Sequence, residues 1–101
     1  MAQKENNIIP MIFDEAFYRK MATQKWRQQD YKKAAEYYEK VLELSPKDFD
    51  IQQHYAQCLV KLNIGKKAER LFYENIVKDF HVAESFYELS QLNIELNEPN
   101  K

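Results

Sequence analysis

Shifted along itself by 34 residues, the 101-residue chain meets its own pattern twice. Ala34 falls on Ala68, Tyr38 on Phe72, Ala22 on Ala56 and Ser90, Met21 on Tyr55 and Leu89, and Tyr18 on Gln52 and Phe86. A fixed period of this length marks a repeated supersecondary unit, in which each copy buries its apolar face against the next. Small residues recur where small residues stood. Two antiparallel helices in a hairpin approach closely at one level, where only Ala, Gly or Ser fits, and aromatics fill the wider gaps on either side.

The stretch from Asp30 to Pro46 shows why the unit is helical. Tyr31, Ala34, Ala35, Tyr38, Val41, Leu42 and Leu44 recur mostly at three- and four-residue steps, with Lys32, Lys33, Glu36, Glu39, Lys40 and Glu43 opposite and Glu36 one turn from Lys40. Pro46 ends the helix, since it has no backbone donor and drives the preceding residue toward extended geometry. One glycine and three prolines leave few places for tight hairpin turns, so the chain reads as all-α. Asp14 is expected to cap a helix to about Gln28, Asp30 the next, Asp48 or Asp50 a third to about Leu62, with a fourth from Gly65 or Lys66 to about Lys78. Ala83 opens a fifth to about Leu96, and residues 98–101 form a turn. Ahead of all five, Ile8, Ile9, Met11, Ile12 and Phe13 are expected either to fold back as a cap on the first helix or to dock on a partner.

These residues resemble the tetratricopeptide repeat family, whose unit is a 34-residue helix-turn-helix. The first unit, residues 15–48, carries Ala22, Gln29-Asp30-Tyr31, Ala34, Tyr38, Val41, Leu44 and Pro46 where that family places its small, turn, aromatic and closing residues. The second, residues 49–82, keeps Tyr55, Ala56, Leu59, Ala68 and Phe72; the third, residues 83–101, keeps Phe86, Leu89, Ser90 and Leu92 and is incomplete. The resemblance implies an α-α superhelix of about five helices and two and a half repeats, following an N-terminal arm over residues 1–14. It implies either a piece of a longer repeat protein or a fifth helix covered by another chain. Departures occur in all three units: the usual tryptophan place holds Tyr18, Gln52 and Phe86, and the later aromatic place Lys25, Leu59 and Asn93. In the second unit Asn75 stands where Val41 does and Phe80 in place of the closing proline, so the fourth helix is expected to run on toward Phe80.

Composition excludes several classes of function. A net charge of -1 gives no electrostatic reason to expect nucleic acid or an anionic membrane as partner. No apolar run approaches the ~20 residues of a membrane span, and Cys58 is the single cysteine, which favours a soluble, cytoplasmic protein. His54 and Cys58 stand four apart on one helix, but no third ligand accompanies them, so no metal is expected and Cys58 reads as packing between units. No phosphate loop or nucleophile elbow is present, and neither enzyme activity nor a cofactor is expected.

The resemblance implies a noncatalytic module that holds a peptide or partner helix in a concave groove lined by the first helix of each unit. Groove positions would be Arg19, Thr23, Trp26 and Arg27, then Gln53, His54, Gln57 and Lys61, then Glu84, Tyr87, Glu88, Gln91 and Glu95. Charge changes along it, from Arg19, Lys20 and Arg27 to Glu84, Glu88 and Glu95, which suits a ligand carrying both signs. Trp26 and Tyr87 would be aromatic anchors, unless Trp26 packs under the next unit. Family members that clamp acidic C-terminal tails use a Lys, Asn, Asn, Lys, Arg set. The corresponding places hold Arg19, Thr23, His54, Glu84 and Glu88, so such a tail should be repelled. Two alternatives remain: self-assembly through the fifth helix, with Leu92 and Leu96 at the contact, and a small secretion-type chaperone that shields an apolar partner.

Overall fold

Five α-helices and no strand make up the residues described by a computed structural model, 14–97 for the backbone and 14–92 for the side chains. They are α1 (Glu15–Arg27), α2 (Tyr31–Leu44), α3 (Phe49–Lys61), α4 (Gly65–Val77) and α5 (Val82–Asn97), each packed chiefly on the next in the chain. The apolar segment at Ile8 to Phe13, the turn over residues 98–101 and the side chains of Glu95 and Leu96 lie outside the described residues.

Three aspartates start three of these helices as expected. Asp14 accepts from the Phe17 amide at 3.0 Å, Asp30 from Lys33 at 3.2 Å and Asp48, rather than Asp50, from Ile51 at 3.1 Å. Lys40 pairs with Glu43 at 3.9 Å, one turn further along the helix than Glu36. The helix ends are less legible, because they use left-handed residues that are not glycine. Gln29, Asn63 and Asp79 take φ of 61°, 65° and 67° just past α1, α3 and α4. In each case the following amide reaches back five residues (Asp30 to Lys25, Ile64 to Leu59, Phe80 to Asn75, all at 2.8 to 2.9 Å), satisfying carbonyls that the helix leaves unpaired. The fourth helix therefore stops at Val77 and does not run on to Phe80. Phe80 instead stacks on Phe49 with ring centroids 5.1 Å apart, an apolar substitute for the missing proline.

The small residues sit at the close approaches. Ala22, Ala34, Ala56 and Ala68 are fully buried, with Tyr38, Val41, Tyr55, Leu59 and Phe72 filling the space around them. Cys58 packs among them at no exposure, and burial pushes its thiol up to about 12. His54, four residues away, is exposed, so the two do not face a common site.

The second unit carries a polar layer where the first is apolar. Gln52 Nε2 donates to Asn75 Oδ1 at 3.0 Å, and Asn75 Nδ2 donates to the Phe49 carbonyl at 3.1 Å and to Gln53 Oε1 at 2.8 Å. Ser85 Oγ on α5 donates to the same Gln53 oxygen at 3.0 Å, joining α3, α4 and α5. All four side chains are buried. Because the Phe49 carbonyl can only accept, Asn75 must point its nitrogen there, which orients Gln53 and leaves Gln53 Nε2 without a protein partner.

On α5, Leu89 and Leu92 are buried and Phe86 is 56 % exposed. Leu92 thus belongs to the chain's own core, and Phe86 and Tyr87 are the open large apolar residues of this helix among the described side chains.

Candidate peptide-binding groove

The residues expected in the groove lie on α1, α3 and α5, and the structure sorts them into free, engaged and buried. Gln53 is buried in the polar layer at 2 % exposure and offers nothing to a ligand, because Ser85 and Asn75 enclose it. Arg19 is engaged: its guanidinium bonds Glu15 from Nε at 2.8 Å and reaches Asp48, the cap of α3. Ser45 Oγ donates to the other Glu15 oxygen at 2.8 Å, so this cluster ties the start of α1 to the end of α2 and the start of α3. The Ser45 hydroxyl and then the Arg19 guanidinium hold the Glu15 carboxyl below the usual range. Only the Glu15 to Arg19 spacing was readable locally.

Thr23, Arg27, His54, Lys61, Glu84, Tyr87 and Gln91 are exposed, and Trp26, Gln57 and Glu88 are half-buried. Trp26 makes an edge contact with Tyr31 of α2, centroids 5.2 Å apart at 72°, and the Lys61 ammonium stands 5.9 Å from the same Tyr31 ring. Tyr87 is 64 % exposed. Burial, partly offset by Lys61, holds the Glu88 carboxyl above the usual carboxylate range. A hollow of about 560 Å³ runs along α1, lined by Arg19, Lys20, Thr23, Gln24, Arg27 and Gln28. A second, of about 150 Å³, lies where α1, α2 and α3 meet, lined by Thr23, Trp26, Tyr38, Ile51 and His54.

Glu84 meets His81, a residue with no local signal of its role. His81 takes φ 51° in the α4–α5 connection, and its two ring nitrogens face Glu84 at 2.6 Å and Asp50, at the start of α3, at 2.5 Å. Only the protonated imidazole can donate to both carboxylates, and the Glu84 contact, then the Asp50 contact, raise the His81 pKa from its ordinary 6.5. A raised folded-state value means that this latch contributes fully below about pH 6.5 and fades as pH rises through the higher folded value. His81→Gln should therefore lose stability against urea at pH 6 and little at pH 9, by up to about 1 kcal/mol given the exposure of both carboxylates. Equal losses at both pH values would remove the latch.

Among the described residues no three of His, Cys, Asp and Glu gather to hold a metal ion, and no helix is long and apolar enough to cross a membrane. A family model, tetratricopeptide repeat, matches residues 25–72, a span that begins near the end of α1 and closes inside α4. No curated protein and no solved structure matches the chain. That family's units are in general protein-interaction modules and typically noncatalytic. With its 34-residue period, its alanines at the helix crossings and five helices stacked in sequence, the chain folds as an all-α helical repeat of the tetratricopeptide type, and residues 25–72 carry that family's match.

Proposed function

We propose that this chain is a noncatalytic, cytoplasmic binding module that holds an extended peptide or partner helix along α1, α3 and α5. The observation that carries the reading is the open row of side chains of changing charge on these three helices: Lys20 and Arg27 without an ion pair among the described residues on α1, Lys61 on α3, and Glu84 and Glu88 on α5. Long-range charge of this kind sets orientation and on-rate more than affinity. Its mixed sign does not suit nucleic acid or an anionic membrane.

Panning a random peptide library against the chain and mapping the selected peptides by amide chemical shifts tests this reading. Shifts should gather on α1, α3 and α5, and Arg27→Glu should weaken binding severalfold. Shifts confined to α2 and α4 would overturn it. In the same assay a peptide ending in acidic residues and a free carboxylate should not bind in the micromolar range, because Glu84 and Glu88 occupy the places of two clamp cations. A second reading, self-association through α5, draws on the exposure of Phe86.

A further inference from the structure

Thr23 borders two hollows of opposite character. On one side is the basic hollow along α1; on the other is the crevice floored by buried Tyr38 and Ile51 and walled by Trp26 and His54. At about 150 Å³ the crevice is smaller than the roughly 300–1,000 Å³ of small-molecule sites, and suits one side chain. Its walls are already held. Trp26 leans on Tyr31, the His54 ring lies 5.9 Å from the Tyr38 ring, and His54 Nδ1 donates to the Asp50 carbonyl at 2.9 Å. A ligand side chain entering it therefore orders little protein.

The charges around the crevice are unequal. Arg19 is spent on Glu15 and Asp48, so Lys20 and Arg27 are the cations lining the α1 hollow that have no ion pair among the described residues. On the far side stand Glu84, shared with His81, and Glu88, close enough to Lys61 to feel its charge. Helix axes packed ~9 Å apart and an extended chain rising ~3.3 Å per residue place about three ligand residues between the crevice and α5.

We propose that the crevice between Thr23, Trp26 and His54 is a one-residue subsite for an aliphatic side chain of an extended partner segment, with a carboxylate beside it over α1 and a cation about three residues on, over α5. This rests on the groove reading and narrows it to one ligand pattern. Apolar burial supplies the affinity and the flanking charges set the direction.

Trp26 is the single tryptophan, so its fluorescence reports on the crevice directly. The probes are a synthetic Asp-Asp-Ser-Leu-Ser-Ser-Lys-Lys peptide, the same peptide in reverse order, and a leucine-to-serine version of each, titrated into the full chain. One order of the leucine peptide should shift Trp26 emission and bind at least tenfold more tightly than its serine version. Thr23→Arg, a change at an exposed position that fills the crevice mouth, should abolish that difference, with the far-ultraviolet dichroism unchanged. Arg27→Glu should weaken leucine and serine versions alike. Equal binding of the two versions, a leucine preference that survives Thr23→Arg, or no binding in either order overturns the subsite. The groove reading falls separately, on where the panned peptides bind. A concentration-dependent shift of Trp26 without peptide would make a second copy the occupant and also overturn the proposal.

Discussion

Replacing Asn75 with valine, the residue that stands one repeat earlier at Val41, should destabilise the chain by about 3 kcal/mol although valine is the more apolar residue. Asn75 is fully buried, and its amide serves the Phe49 carbonyl, Gln53 Oε1 and Gln52 Nε2 together. Valine would take a side-chain donor from the Phe49 carbonyl and from Gln53 Oε1, and one acceptor from Gln52, inside a layer whose side chains are buried. Gln52 keeps the Leu71 carbonyl at 3.3 Å and Glu74 at 3.1 Å, so the loss falls short of the sum of every broken bond. Urea unfolding followed by circular dichroism measures it. Gln52→Tyr, which restores the residue type of Tyr18, should couple to Asn75→Val by about 1 kcal/mol or more, because each change removes what the other needs. If Asn75→Val unfolds within 0.5 kcal/mol of the native chain (about the scatter of surface changes), the layer is not a structural device.

That polar layer also shows what sequence reading could and could not reach. Gln52 and Asn75 each stood out as a departure from the repeat, and the departures fall at positions of one unit that face each other across the hairpin; read as a pair, they explain each other. Gln53 was placed in the groove by its register on α3, and register alone does not reveal that Ser85, 32 residues away, closes over it. The helix starts were legible because an aspartate side chain caps locally. The end of α4 was not, since the left-handed residue there is Asp79 rather than a glycine, and nothing short of the Phe80-to-Asn75 hydrogen bond marks it. The groove positions came from the family resemblance, and the chain's own contacts decide which are free. Arg19 is spent on Asp48, 29 residues away, and exposed Glu84 is shared with His81, three residues away, while Lys20, Arg27, Lys61 and Glu88 carry the rest of the polarity.

The largest single loss is expected from Phe72→Ala, at about 3–5 kcal/mol, against a total stability of about 5–15 kcal/mol for a domain of this size. Phe72 is fully buried beside Ala68, in the place that Tyr38 takes beside Ala34, and a truncated ring there leaves a cavity that the neighbouring helices cannot close. Phe86 is the same residue type with the opposite surroundings: at 56 % exposure it loses little solvent-shielded surface, and Phe86→Ala should change stability by less than about 0.5 kcal/mol. The pair of substitutions therefore reads the environment rather than the residue. It also decides the self-association reading, which rests on the exposure of Phe86 on α5. Were a second copy to bury Phe86, the melting temperature of the native chain would rise with concentration and Phe86→Ala would remove that dependence. A flat concentration series, with Phe86→Ala neutral and Phe72→Ala severe, removes the self-association reading and locates the stability of the five-helix stack within one chain.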